Sequence, residues 1–169
     1  MNVEEAILAR RSIRRFKDTP ISDEQITSLL EAAMAAPSAC NKRPWVFYVV
    51  KNKAMQDQLK TVSRYTNYDS PLMIIVCGNQ KKRLSSRNDD FWIHDCSAAI
   101  ENILLEAVEL GLGSCWCGLH PMVTPVKRVK ELLSLPEELL PLALIHIGYP
   151  DEEKEPRTQY DEKLIVTLE

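Results

Sequence analysis

Four guanidinium groups and a hydroxyl fall within six residues near the start of the chain, Arg10-Arg11-Ser12-Ile13-Arg14-Arg15. The planar fork of arginine matches phosphate oxygens in bidentate geometry, so a cluster this tight is a candidate site for a phosphorylated small molecule. A solvated basic helix end is the competing reading. The loop Ala36-Pro37-Ser38-Ala39-Cys40-Asn41-Lys42-Arg43-Pro44-Trp45 offers small residues where a flat ring can approach the backbone and one amide to hydrogen-bond it. Taken by itself it reads more readily as a polar connection bounded by prolines. The third stretch, Leu110 to Gly118, has glycines that let main chain come close to a ligand. It fails the dinucleotide fingerprint, because Trp116 stands at the third glycine position after Gly111 and Gly113. A Gly-x-x-x-x-Gly-Lys loop is absent too, so any phosphate here is held mainly by side chains. His94-x-Cys96 and Cys115-x-Cys117 together offer four zinc-type ligands. Their spacings are unusual for structural zinc, and no resident metal is expected. His94, His120 and His146 read as packing or surface histidines.

The elements that must position these groups follow from caps and periodicity. Asn2 and Glu5 form a capping box before a short helix that ends at the arginines. Ser22 and Gln25 form a second before Ile26, Leu29, Leu30, Ala33 and Met34 at helical spacing, with Pro37 as the stop. Residues from about Lys53 to Val62 read as another helix. Phe91 to Leu110 is the longest, with a wide apolar stripe and Gly111 at its exit. Thr124 and Pro125 satisfy the N-cap and N1 rules for one more. Trp45–Val50, Leu72–Cys77 and Leu142–Gly148 are short apolar runs, expected as strands buried on both faces. The alternation implies a layered α/β core. The tail is polar from Tyr149 to Lys163, and Leu164-Ile165-Val166-Thr167-Leu168 then reads as a detached strand, suited to a partner's sheet edge.

The 169 residues suffice for one domain with its own core, at 45% hydrophobic composition. A formal net charge of -3 makes the basic cluster local and argues against nucleic-acid binding. Neither a signal peptide nor a membrane span is visible, so the expectation is a cytoplasmic protein without membrane partners. Five cysteines, mostly in apolar surroundings, indicate no disulfide framework.

Taken in order, Arg10-Arg11-Ser12-Ile13-Arg14, then Ala36-Pro37-Ser38-Ala39 with Asn41 and Pro44-Trp45, then Ala98 through Gly113, then Gly148-Tyr149-Pro150 with Arg157, the chain resembles the nitroreductase family of FMN-dependent oxidoreductases in a short form. The resemblance implies an α+β, three-layer α/β/α fold with a central mixed sheet flanked by helices. It implies a single FMN-binding domain over 1–169, with 149–169 as an arm exchanged between subunits of a homodimer that holds FMN at its interface. Arg10, Ser12 and Arg14 are then expected at the FMN phosphate and ribityl chain, Arg11 near the ring edge, and Arg157 on the same phosphate. Pro37, Ser38 and Ala39, with Asn41 nearby, are expected to cover the isoalloxazine from the second subunit. Cys117 and Gly118 are expected by flavin N5 and O4. Arg43 and Cys40 depart from the family's usual residues, and Asn67 is the nearest candidate for the pyrimidine edge. The implied reaction runs from NADH or NADPH through flavin N5 to a small organic acceptor such as a nitroaromatic or quinone, by ping-pong alternation, with no protein catalytic residue because the flavin carries the chemistry. The alternative is a protein of the same fold with another flavin reaction, flavin-consuming, dehalogenating, or a storage or sensor role. The basic 78–90 segment carries no assigned role.

Overall fold

The computed structural model describes residues 1–84 and 90–168. The core of the 78–90 basic segment, 85–89, lies outside the described residues.

Both capping boxes form. Asn2 Oδ1 accepts from Glu5 N at 2.9 Å while Glu5 reaches back to Asn2 N at 3.0 Å, opening helix α1 (Val3–Ala9). Ser22 and Gln25 do the same at 3.2 and 3.1 Å for α2 (Asp23–Met34). Asn52 caps α3 (Lys53–Leu59) through Met55 N. Helix α4 (Phe91–Glu109) ends before Gly111, whose φ of 70° is the left-handed turn that stops it. Helix α5 (Val123–Leu132) begins two residues earlier than Thr124-Pro125 predicts. Its N-cap is Met122, which lacks a capping side chain.

Among the described residues, four strands, β1 (Trp45–Val50), β2 (Leu72–Asn79), β3 (Gly113–Gly118) and β4 (Leu139–Gly148), form one sheet in the order β1-β2-β4-β3. Every pairing is antiparallel, which corrects the expected mixed sheet. The apolar runs of β2 and β4 arise because helices cover both faces, and antiparallel strands buried this way carry the same sequence signature as parallel ones. β1 is an edge strand and only half-buried, not buried on both faces. β3 lies in the stretch that the sequence marks only for glycines able to bring main chain close to a ligand. Residues 164–168, expected as a strand for a partner's sheet edge, pair with no strand of their own chain among the described residues: a 3-10 turn at Glu162–Leu164 leads into extended chain, with Leu164, Ile165, Val166 and Leu168 all more than half exposed.

The period of two along β2 divides the core. Leu72, Ile74 and Val76 face one cluster with α2 and α4, whereas Met73, Ile75 and Cys77 face another with α3 and α5. The fold is thus α+β in three layers. A register shift between Val76 and Cys77 lets Leu142 and Ala143 both join the first cluster. Asn102 Nδ2 donating to Ala32 O at 2.9 Å, and Ser28 Oγ to Glu106 at 2.5 Å, fix α2 against α4.

His146 on β4 is fully buried. Its Nε2 faces the Thr66 carbonyl at 3.1 Å, which can only accept, so Nε2 carries the proton and Nδ1 accepts from Ser70 Oγ at 2.8 Å. Burial lowers its pKa to about 4 from 6.5. The unfolded chain therefore binds the proton first as pH falls, and this contribution to stability, intact above pH 6.5, erodes down to about pH 4. A loss of about 2.5 kcal/mol from this group is expected by pH 4.5. Urea midpoints at pH 7 and 4.5 should show a smaller acid loss in His146→Gln than in the wild type. Equal losses would remove His146 from the account.

Candidate functional site at the free edge of the sheet

β3 is the second edge of the sheet, and the arginine segment docks on it. Ser12 bridges Ser114 in parallel, with Ile13 N donating to Ser114 O at 2.9 Å, and Phe16 bridges Pro150 further on. Since the Ser114 carbonyl points outward, strand alternation turns the main-chain groups of Trp116 and Gly118 outward too, and those of Cys117 inward to Leu144 on β4. No backbone hydrogen bond among the described residues meets Trp116 or Gly118 from outside the sheet. The expected pair therefore divides: Gly118 presents main chain to the edge, and Cys117 presents sulfur.

A cavity of about 340 Å³ opens there, lined by Arg14, Tyr65, Tyr68, Cys115, Trp116, Cys117, Gly118 and Met122. The Arg14 guanidinium lies 5.9 Å from the centroid of the Tyr68 ring. Its pKa is raised, chiefly by the charge of Cys115 and then by Tyr68. Cys115 is pulled down to about 7, first by the Cys117 thiol as hydrogen-bond partner and then by Arg14 and Lys154, against the effect of burial. Cys117 is pushed up by the same partnership, so the pair gives up one proton near neutrality and holds the second. Cys77 and Cys96, by contrast, are raised to about 12 by burial and are inert.

The other predicted residues are spread around this cavity. Arg10, half-buried, pairs with Glu101 on α4 at 3.3 Å. Arg11 donates to the Glu155 carbonyl and does not line the cavity, whereas Arg14 does. Lys154 donates to the Ser12 carbonyl and pairs with Glu152 at 3.3 Å. Glu152 in turn accepts from Arg14 N at 2.6 Å, so the chain after β4 is tied to the arginine segment. Arg157 is exposed, and its backbone N–H meets the Leu8 carbonyl at 3.2 Å, which brings it back to the end of α1. Arg15 is engaged with the Asp151 carbonyl at 3.1 Å.

Pro37, Ser38, Ala39 and Asn41 do not line this cavity. Their loop is held against α4 instead. Asp95, 4% exposed, accepts from Ala39 N at 2.8 Å, and Ser38 Oγ accepts from Arg43 N at 2.9 Å. Cys40, Asn41 and Arg43 have φ near +50°, a strained conformation for non-glycine residues that these bonds hold in place. Asn67 is exposed and outside the cavity, whereas its neighbours Tyr65 and Tyr68 line it. The zinc reading fails on geometry: Cys96 packs in the cluster with α2 and α4, and Cys115 and Cys117 lie in the cluster on the opposite face of the sheet. The residues that sequence reasoning missed are Tyr65, Tyr68, Met122, Lys154 and Asp95. For the two tyrosines, aromatic residues in an otherwise polar loop were the available signal.

One feature of the cavity tests whether a flat cofactor fits. A Cβ built on Gly118 meets no atom within 4 Å, and Gly118 lines the cavity, so the space above this main chain is open to a ring. With outward N–H groups beside it and a guanidinium across from it, the donor set suits the polar edge of an isoalloxazine.

The model of the Nitroreductase family matches residues 7–66 and 56–149. A Methanothermobacter thermautotrophicus protein named for NADH dehydrogenase and NAD(P)H nitroreductase activity is 41% identical over 163 residues, covering 95% of this chain and 84% of its own. The structure of an FMN-dependent nitroreductase from Clostridium difficile R20291 superposes with a TM-score of 0.89 at 31% identity, covering 99% of each chain. A Desulfovibrio desulfuricans structure, described as a nitroreductase in complex with FMN, superposes at 0.83 with 29% identity, covering 99% of this chain and 96% of its own.

Proposed function

Because this chain belongs to the nitroreductase family, we propose that the cavity at the β3 edge is its FMN site, and that the protein is an NAD(P)H-dependent oxidoreductase delivering electrons to a small organic acceptor. The observation that carries this reading is the open space over Gly118, with Arg14 beside it and a strand edge at Trp116 and Gly118 that meets no backbone partner from outside the sheet among the described residues. When bound, FMN supplies the redox chemistry, taking hydride from the nicotinamide and passing electrons to the acceptor. The protein's own residues bind and polarise. Outward N–H groups of Trp116 and Gly118 fix the edge of the ring. Arg14 holds positive charge where negative charge grows on reduction, the form of electrostatic help that fixed donors give most cheaply. Arg10, Ser12 and Arg157 hold the phosphate and ribityl chain, with Arg11 and Lys154 fastening the chain after β4 beside them.

Nicotinamide and acceptor use one slot in turn, giving ping-pong kinetics with nitroaromatics or quinones as acceptors. The loop bearing Pro37, Ser38, Ala39 and Asn41 closes the partner's site in a homodimer. Its absence from the cavity of its own chain supports this, as do the exposed Val3 and Ile7 on α1 and the exposed Leu164, Ile165, Val166 and Leu168. Residues 1–169 form one domain, with 149–169 as the arm that reaches the second subunit. No helix among the described residues is long and apolar enough to cross a membrane, and we place the enzyme in the cytoplasm.

An absorbance spectrum of purified protein tests the core of this. Flavin bands should bleach on addition of NADH or NADPH under anaerobic conditions and return with a quinone or nitroaromatic. A colourless protein with an empty phosphate site would end the proposal, and bound FMN without turnover would favour a different flavin reaction. Arg10→Ala should weaken FMN retention by about tenfold, the effect of one charge-assisted hydrogen bond. Arg15→Ala should leave it nearly unchanged, and fluorescence of released flavin on dilution separates the two.

A further inference from the structure

The loop after α2 is strained in a shape that its own core does not require. Cys40, Asn41 and Arg43 hold φ of 49°, 53° and 47°, and none of them is glycine. Such conformations persist only where the surroundings over-determine them, and they gather at functional sites. Pro37, Cys40, Asn41, Lys42 and Arg43 are all exposed, so little side chain is buried by taking this shape. The loop does not line the cavity of its own chain either.

Two sets of hydrogen bonds hold it. Asn41 N, Lys42 N and Arg43 N donate back to Ser38 O, Ala39 O and Ser38 Oγ at 2.9, 3.0 and 2.9 Å, closing the segment on itself. Ala39 N donates at 2.8 Å to Asp95 Oδ1 and so ties the segment to the second turn of α4. Asp95 is 4% exposed, and its Oδ2 is buried without a hydrogen-bond partner among the described residues. A carboxylate makes a stronger bond to an amide than a neutral acceptor does, but a bare buried oxygen lowers stability. The arrangement gives up stability and gains a loop held in one shape.

We propose that Asp95 is a positioning residue for the oxidoreductase reaction, holding the Ser38–Arg43 loop in the form that covers the flavin ring of the partner subunit. This rests on the dimeric flavin reading above and adds to it the group that sets the loop. Released from Asp95, the three left-handed residues can relax, and a relaxed cover lets the ring shift and leave.

The test uses flavin-loaded protein and reads two quantities, FMN release on dilution and the visible circular dichroism of the bound ring. A purely structural role would leave both unchanged in the loaded, folded fraction. Asp95→Ala should release FMN about tenfold faster, the effect of one charge-assisted hydrogen bond, with a weaker visible band. Asp95→Asn keeps an acceptor without the charge and should fall between Asp95→Ala and wild type. Hybrid dimers, isolated through different tags on the two subunits, show which site the loop serves. With Arg10→Ala on one subunit and Asp95→Ala on the other, a loop that crosses the interface puts both lesions in one site and leaves the second intact. Half of the flavin should then be retained as in wild type. A loop that serves its own chain puts one lesion in every site, and no such fraction appears.

Asp95→Ala with wild-type release and dichroism overturns the proposal, as does a hybrid without the retained fraction; flavin bound to the wild type keeps the flavin reading standing in either case. A wild type without flavin ends both. If Asp95→Ala lacks the native melting transition, Ala39→Pro takes its place in each measurement, and wild-type release there rejects the role. It deletes the donor of the same bond, and the extended Ser38 before it (φ -144°, ψ 153°) and its position first in the 3-10 turn both suit proline.

Discussion

Arg14→Met should lower kcat/KM for the oxidoreductase reaction by about 100-fold or more, with FMN retention changed far less. Methionine keeps most of the length of the side chain and removes its charge. The guanidinium is exposed at the cavity rim but anchored through its own backbone: Arg14 N donates to Glu152, and the preceding Ile13 N is fixed to Ser114 on β3. The variant should therefore fold and load. Its deficit should lie in stabilising charge that develops on reduction, and removal of one such fixed donor typically costs 10²–10³ in rate. The measurement is a pair: stopped-flow reduction of the flavin by NADPH, and flavin dissociation on dilution. Slow reduction with tight flavin supports a role at the ring. Loss of flavin with an intact reduction rate in the loaded fraction would return Arg14 to the phosphate, where the order of residues in the sequence first placed it. Arg11→Met in the same assay should behave as a fastening variant, because its guanidinium meets the Glu155 carbonyl.

Gly78→Ala should be the most damaging small substitution in the sheet. An added Cβ would stand 2.2 Å from Trp92 Cε3 and 2.9 Å from Cζ3, and Trp92 is 2% exposed in the first turn of α4 with its ring edge-on to His120 at 5.1 Å. The indole has nowhere to withdraw. Overpacking of this kind costs about 3 kcal/mol, which for a chain of this size lowers the melting temperature by about 10 °C. The same wedge would move the start of α4, including Asp95 and the loop it holds. Gly118→Ala is the control, since its Cβ meets nothing within 4 Å. Stability there should stay within about 0.5 kcal/mol. FMN affinity should fall, because the methyl enters the space kept for the ring. A Gly118→Ala protein that binds FMN normally would move the ring elsewhere.

What the sequence disclosed and what it concealed divide along distance. The capping boxes at Asn2 and Ser22 span three residues and were legible because their geometry is local. The apolar stripe of α4 was legible for the same reason. β3 was hidden because Gly113-Ser114-Cys115-Trp116-Cys117-Gly118 has none of the β-branched residues that mark a strand, and it becomes one only by pairing with β4, some thirty residues on. The antiparallel sense of the sheet was hidden because burial on both faces erases the alternation that distinguishes the two kinds of sheet. Within the site, the arginine cluster stood out by composition, but which guanidinium faces the cavity depends on the bridge from Ser12 to Ser114, a contact between segments a hundred residues apart. Asp95 was invisible for another reason: it lies among the apolar positions of α4, and nothing along the chain indicates that one carboxylate there is buried to hold a distant loop.

The open edge of β3 has a consequence for handling the protein. Main-chain donors and acceptors at Trp116 and Gly118 have no backbone partner from outside the sheet among the described residues, and an exposed strand edge with free backbone groups is a template for strands of other molecules. A ring bound along that edge would also act as its guard. Protein stripped of cofactor should then precipitate sooner on storage than loaded protein, even where the two unfold at the same temperature, and added FMN should protect it in proportion to occupancy.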